Sequence, residues 1–169
     1  MVVCGGSALI LTGLVNRTTQ DVDIVALMRQ GILCSPEPMP PSLLRAALEV
    51  ADDLGLPPDW LNNHPSHGEG GLFQMGLPSG FSERLSHRVY SQGLTVHFIH
   101  RLDQIHFKLY ASVDRGGYHI TDLLALSPSP AELEAAARWA MTHDVSDGFA
   151  LVLKRLLRSI GYDTVAERL

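Results

Sequence analysis

The chain has 169 residues, of which 46% are hydrophobic and 18% are charged, and its formal net charge is −5. This length is typical of one domain, and this composition excludes a disordered or fibrous chain. The negative charge disfavours a basic surface spread over the whole protein, as a duplex-DNA binder would need, although arginines can still gather locally.

The first half of the chain shows strand and helix patterns in turn. Val2 to Cys4 predicts a short strand, Gly5-Gly6 a turn, and residues 7–11 a helix. Residues 21–26 predict a second strand that is exposed at its start and buried at its end. The order is therefore strand, glycine turn, helix and strand.

The middle of the chain carries two loop patterns, one helix and one strand. Residues 35–41 hold four prolines and predict a loop, whereas residues 42–54 have apolar side chains at helical spacing. Residues 62–71 are rich in Gly, Asn and His and predict a second loop. Residues 94–99 predict a third strand.

The second half of the chain is helical throughout. A helix that starts at Arg101 is broken by Gly116-Gly117, and another runs through residues 120–126. The segment Ser129-Pro130-Ala131-Glu132 predicts a helix start with a capping box. A last helix is expected from about Ser146 to Ile160.

These patterns predict an α/β (α+β) protein with a small mixed β-sheet and flanking helices. We expect the α/β core over residues 1–126 and a helical extension, packed on the same domain, over residues 127–169. Cys4 and Cys34 are too few for a disulfide framework, and no apolar run approaches the ~20 residues that cross a bilayer. No signal peptide is apparent, so we expect a cytoplasmic protein with no membrane contact.

Two acidic residues at the start of the second strand form a candidate metal site. Side chains at positions i and i+2 of a strand point to the same face, so Asp21 and Asp23 are expected side by side. Such carboxylates repel each other unless a cation or a proton intervenes, and Mg²⁺ (or Mn²⁺) suits all-oxygen ligands. The alternative is a solvated strand end.

The glycine turn before the first helix is a candidate phosphate site. Gly5 and Gly6 let the backbone approach a ligand closely, the start of the helix offers free N–H groups, and Ser7 adds a hydroxyl. Arg17 and Thr19, shortly before the aspartates, can contact the same phosphates. The alternative is an ordinary turn with a helix cap.

These two halves resemble the first motif of the polymerase-beta-like nucleotidyltransferase superfamily, a Gly-Ser turn followed by Asp-x-Asp on the next strand. The version Gly5-Gly6-Ser7-Ala8-Leu9 with Arg17-x-Thr19-x-Asp21-x-Asp23-Ile24 is similar to a compact bacterial branch. That branch includes the AbiEii-type toxins of toxin–antitoxin systems. Residues 57–62, Pro-Pro-Asp-Trp-Leu-Asn, also resemble a segment of these small proteins.

The later signature of that branch is a Lys on a helix, a charged loop and an Asp-Leu on the next helix. Lys108, Asp114-Arg115 and Asp122-Leu123 match this order. The resemblance implies that Lys108 offsets triphosphate charge and that Asp122 completes the metal site or takes the acceptor proton. The alternatives are a surface lysine and a helix-capping aspartate.

The chain departs from the superfamily pattern at its third strand, which offers His97 where many members carry a third metal-binding carboxylate. The relatives also have a helix before the first strand, and this chain begins at the strand itself. The histidines match no metalloprotease or zinc-finger spacing, so the sequence disfavours zinc.

The resemblance and the residues together predict a metal-dependent nucleotidyltransferase. We expect transfer of a nucleoside monophosphate from an NTP to an acceptor hydroxyl on RNA, such as tRNA, on a protein or on a small molecule. A toxin-like role with a cognate antitoxin is implied by the resemblance alone. The alternative is a catalytically degenerate binding module that acts as a partner or regulator.

Overall fold

A computed structural model describes all residues from Met1 to Leu169. The protein has eight α-helices and one six-stranded mixed sheet, which confirms the expected α/β class. The chain divides into two compact units, Met1–His100 with the sheet and Arg101–Leu169 with helices alone. The expected boundary stood at residue 126, whereas this division falls after His100.

The first unit holds all six strands and three of the helices. The strands are β1 (Val2–Cys4), β2 (Val22–Arg29), β3 (Ile32–Cys34), β4 (Leu61–Asn62), β5 (Ser86–Ser91) and β6 (Leu94–Phe98). The helices are α1 (Gly5–Leu11), α2 (Pro41–Leu54) and α3 (Leu72–Met75). The predicted strands at β1, β2 and β6 and the helix at α2 are confirmed, and α1 begins two residues before its expected start.

The sheet has the strand order β3-β2-β1-β6-β5, and β4 pairs with the start of β2. Strands β1 and β2 are antiparallel with Cys4 opposite Asp23, whereas β1 and β6 are parallel. Strand β2 is longer than its neighbours because it pairs with β4 at its beginning and with β3 at its end. The central strands thereby bring the end of β1 beside the beginning of β2.

Strand β2 pairs with β4 at its beginning and with β3 at its end, and a serine side chain bonds to the backbone of β2 between these two stretches. The hydroxyl of Ser66 donates to the carbonyl oxygen of Val25 at 2.8 Å and accepts from the N–H of Phe73 at 3.3 Å. Ser66 is completely buried. Its hydroxyl satisfies a strand carbonyl that would otherwise be buried without a partner.

Apolar side chains from the sheet and from α2 form the interior of the first unit. One cluster is built on Ile24 and Leu27 of β2 with Ala47 of α2. The indole of Trp60 packs against this cluster and donates to the carbonyl oxygen of Ala47 at 2.8 Å. A second cluster joins β1, α1 and β6 through Val3, Ala8, Val96 and Phe98.

The second unit consists of α4 (Arg101–Arg115), α5 (Tyr118–Ala125), α6 (Pro130–His143), α7 (Asp147–Ser159) and α8 (Asp163–Arg168). Its fully buried leucines come from four of these helices: Leu109, Leu123, Leu133, Leu153 and Leu157. The capping box is confirmed, because Ser129 accepts from the Glu132 N–H at 3.3 Å and Glu132 accepts from the Ser129 N–H at 2.8 Å. None of the eight helices has the length and apolar character that crossing a bilayer requires.

Candidate functional site

The glycine turn between β1 and α1 lies against the first acidic residue of β2. Gly5 has a φ of +69°, a conformation that glycine adopts without steric cost. A Cβ at this position would collide with Oδ2 of Asp23. The antiparallel register that places Cys4 opposite Asp23 explains this approach, since Gly5 directly follows Cys4. The structure therefore brings Gly5 and Asp23 together.

The second glycine of the turn lies beneath two side chains from the segment that leads into β2. A Cβ on Gly6 would be 2.7 Å from Nη2 of Arg17 and 3.0 Å from Oγ1 of Thr19. The Arg17 guanidinium also donates to the carbonyl oxygen of Thr18 at 2.8 Å. The segment before β2 therefore returns to the start of α1, and it places a cation and a hydroxyl over the bare backbone of Gly6.

Thr19 links this arrangement to the second acidic residue. Its hydroxyl donates to Oδ1 of Asp21 at 3.0 Å, and Asp21 is exposed. Strand β2 begins at Val22, so Asp21 precedes the strand and Asp23 lies inside it. We call Gly5, Gly6, Arg17, Thr19, Asp21 and Asp23 the Gly–Asp cluster. All six are residues that the sequence predicted for one site.

Ser7 occupies a different environment from the rest of the predicted phosphate site. Its side chain is buried, and its hydroxyl donates to the carbonyl oxygen of Cys4 at 3.3 Å. This bond stabilises the first turn of α1. Within the first unit, Ser7 therefore supports the turn that holds Gly5 and Gly6.

The donor atoms of the Gly–Asp cluster suit a hard cation. Asp21 and Asp23 supply carboxylate oxygens and Thr19 a hydroxyl oxygen, which is the ligand chemistry that Mg²⁺ prefers. No group of three or more His, Cys, Asp or Glu side chains is arranged to hold a metal ion. A Mg²⁺ ion at this cluster would complete its shell with water and with phosphate oxygens, as it does in many nucleotide sites.

The second unit brings the other two predicted site residues together as a buried ion pair. Nζ of Lys108 lies 2.7 Å from Oδ2 of Asp122, and both residues are at most 4% exposed. The ring centroid of the more exposed Tyr118 is 5.6 Å from the same Nζ. Gly116 and Gly117, both with positive φ, allow the chain to turn between α4 and α5. The sequence predicted both residues but not their mutual bond.

One residue that lies beside the Gly–Asp cluster was not predicted from the sequence. Asn62 of β4 is paired in parallel register with Asp23 and is buried. Its Oδ1 accepts from the N–H of His64 at 2.9 Å, and its Nδ2 donates to the carbonyl oxygen of Asp59 at 3.4 Å. The only signal for it was the resemblance of residues 57–62 to a segment of small nucleotidyltransferases.

Comparisons of the chain with protein-family models, with curated proteins and with solved structures give no match. The candidate site therefore stands on its own contacts: Asp23 against Gly5, Arg17 and Thr19 over Gly6, and Asp21 bonded to Thr19.

Proposed function

We propose that this protein binds a nucleoside triphosphate together with Mg²⁺ (or Mn²⁺) at the Gly–Asp cluster and transfers a nucleoside monophosphate to an acceptor hydroxyl. The observation that carries the proposal is the position of Arg17 and Thr19 over Gly6, 2.7 Å and 3.0 Å from where a Cβ would lie. A cation and a hydroxyl for phosphate oxygens thus lie next to Asp23 and Asp21. Phosphate binding and metal binding are combined in such donor sites.

Each residue of the cluster has a role in this proposal. Asp21 and Asp23 hold the cation, which when bound neutralises charge on the triphosphate. Arg17 binds phosphate oxygens through its forked N–H groups, and Thr19 adds a hydrogen bond. Gly5 and Gly6 have no side chains, so the Asp23 carboxylate and the ends of Arg17 and Thr19 can lie close to the backbone at the start of α1. The site can therefore orient a triphosphate before any acceptor arrives.

Lys108 and Asp122 enter the proposal through the sequence resemblance. The carboxylate of Asp122 holds the Lys108 ammonium in one position at 2.7 Å. In the enzyme reading, Lys108 offsets triphosphate charge and Asp122 assists removal of the acceptor proton. The acceptor is RNA, a protein or a small molecule. In the toxin-like form of this hypothesis, the protein also has a cognate antitoxin as a partner. The free thiols of Cys4 and Cys34 suit a cytoplasmic location.

A second candidate function is a non-catalytic nucleotide-binding module that regulates a partner. The buried pair favours it, because Lys108 and Asp122 are bonded to each other and at most 4% exposed. Catalysis by these two side chains requires contact with the reacting groups. The module requires only the Gly–Asp cluster.

Calorimetric titration of NTPs with and without Mg²⁺ tests the donor site. Wild-type protein is expected to bind in a Mg²⁺-dependent manner, and Asp23→Asn to lose at least tenfold in affinity while it keeps a cooperative thermal unfolding transition. Asp53→Asn, on the exposed side of α2, is the control and should bind as wild type. Equal binding by wild type and Asp23→Asn, or no binding by wild type, would refute the donor site.

A transfer assay then separates the enzyme from the module. Protein that binds NTP is incubated with α-phosphate-labelled NTP and with tRNA or a protein extract. Label that becomes covalently attached to an acceptor, and that depends on Asp23, supports the transferase. Mg²⁺-dependent binding without transfer to any acceptor supports the module.

A further inference from the structure

Two histidines face each other across the β5–β6 hairpin, apart from the Gly–Asp cluster. His87 of β5 and His97 of β6 are direct partners in antiparallel register. The N–H of His97 donates to the carbonyl oxygen of Met1 at 2.8 Å, which lies on the β1 side of β6. His97 therefore forms a non-hydrogen-bonded pair with His87, the kind in which opposite side chains approach most closely.

The two imidazole rings are already at a distance that one metal ion can bridge. Their centroids are 5.6 Å apart, with an interplanar angle of 39°. An ion ~2.1 Å from a nitrogen of each ring lies ~3.2 Å from each centroid, so two rings at the tetrahedral angle around it are ~5.2 Å apart, close to the observed separation. We propose that His87 and His97 together form a binding site for a transition-metal dication such as Zn²⁺ or Ni²⁺.

The ligand chemistry selects this class of ion. Imidazole nitrogen suits Zn²⁺, Ni²⁺ and Cu²⁺, whereas Mg²⁺ prefers the oxygen atoms of the Gly–Asp cluster. Two protein nitrogens leave the other coordination positions to water or to a further ligand. The hairpin site and the proposed nucleotide site therefore take different ions and can be tested separately.

The two histidines of the pair have different surroundings. Partial burial lowers the pKa of His97. His87 is exposed, so the pair is open to solvent.

The test uses the full chain without a histidine tag and titrates ZnCl₂ and NiCl₂ by calorimetry. Wild-type protein is expected to bind one ion per chain, and His87→Gln and His97→Gln each to lose at least tenfold in affinity. His64→Gln removes an exposed histidine outside the hairpin and should bind as wild type. Wild-type affinity in both hairpin variants, or an equal loss in His64→Gln, would overturn the proposal.

Thermal unfolding gives a second readout, since an ion that binds only the folded chain raises its stability. The melting temperature of wild type should rise with Zn²⁺ and return to its original value with a chelator, and the hairpin variants should show no rise. If His97→Gln fails to fold, the exposed His87→Gln still decides the question. A Zn²⁺-induced rise in His87→Gln equal to that of wild type would contradict the site.

Discussion

The carboxylate of Asp23 lies so close to the Cα of Gly5 that no side chain fits between them. Position 5 combines this crowding with a φ of +69°. Gly13, at the end of α1, has nearly the same φ of +73° but open space around it. Substitutions at Gly5 and at Gly13 therefore distinguish two contributions to the loss of stability: the backbone conformation, which both positions share, and the contact with Asp23, which only Gly5 makes.

Gly5→Ala is expected to destabilise the protein more than Gly13→Ala. Both substitutions place a Cβ on a left-handed residue, which costs about 1–2 kcal/mol, and only the first forces the Asp23 carboxylate to move, which adds about 1–3 kcal/mol. Urea unfolding of both variants measures the difference. Equal losses of unfolding free energy in the two variants would show that the Asp23 side chain moves aside without destabilising the protein. In the nucleotide-binding proposal, Gly5→Ala alone should also lose Mg²⁺-dependent NTP binding.

Gly6→Ala should weaken NTP binding with a modest loss of stability. The new Cβ meets the end of the Arg17 side chain and the hydroxyl of Thr19, whose hydrogen bond to Asp21 it disturbs, so the unfolding free energy should fall by about 1 kcal/mol. The displaced guanidinium and hydroxyl no longer meet the phosphates, and we expect at least a tenfold loss of affinity. Gly70→Ala, where no atom is within 4 Å of the added Cβ, is the control. Wild-type NTP affinity in Gly6→Ala would remove Arg17 and Thr19 from the phosphate site.

Lys108→Met is expected to destabilise the second unit strongly. The change leaves the buried carboxylate of Asp122 without its ammonium, and breaking a buried pair in this way costs about 3–5 kcal/mol. Arg115→Met breaks the exposed pair with Asp114 and should cost about 0–1 kcal/mol. Urea unfolding compares the two variants.

The double variant Lys108→Met/Asp122→Leu distinguishes the ion pair from simple packing. Apolar side chains at both positions remove the unpaired charge, so most of the lost stability should return. A double variant that is as unstable as Lys108→Met would argue that the packing of Lys108 matters more than its charge. A stable double variant that has also lost NTP binding would support a role for the pair in the proposed function.

Glu132 is expected to make folding stability depend on pH in the acid range. The Arg101 guanidinium, which donates to both carboxylate oxygens at 2.7 Å and 3.2 Å, and the Ser129 N–H lower the pKa of Glu132 to about 2. The folded pKa is below the unfolded value of 4.5, so this contribution is complete above pH 4.5 and is lost as pH falls towards 2. Glu132→Gln should therefore flatten the profile of unfolding free energy between these values. Glu167→Gln, on the exposed side of α8, should leave it unchanged.

The sequence predicted elements that depend on short-range signals and missed those that depend on distant partners. The change from strand to helix at Gly5 and the Ser129–Glu132 capping box depend on a few adjacent residues, and both are present, although α1 includes the two glycines that were predicted as a turn. Strand β5 is exposed at all six positions and so lacks the apolar alternation that marks a half-buried strand. Strand β4 has two residues and exists because it pairs with the start of β2.

The same distinction applies to the candidate sites. The spacing of Gly6, Thr19 and Asp23 indicated one site because a short segment joins them, but only the structure shows that Arg17 and Thr19 lie over Gly6. Lys108 and Asp122 are 14 residues apart, and their bond depends on how the chain turns at Gly116-Gly117. The His87–His97 pair depends on the register of a hairpin that the sequence pattern did not reveal.

The hydroxyl of Ser66 has a consequence for association between chains. Because it bonds to the carbonyl oxygen of Val25, the middle of β2 offers no free acceptor to a foreign strand. At the opposite side of the sheet, β5 ends the strand order and is exposed along its whole length. Open strand edges are where sheets recruit further strands, so protection against aggregation is uneven. Any cross-chain pairing should begin at the terminal strands of the sheet, at β5 next to His87 or at β3, rather than in the middle of β2.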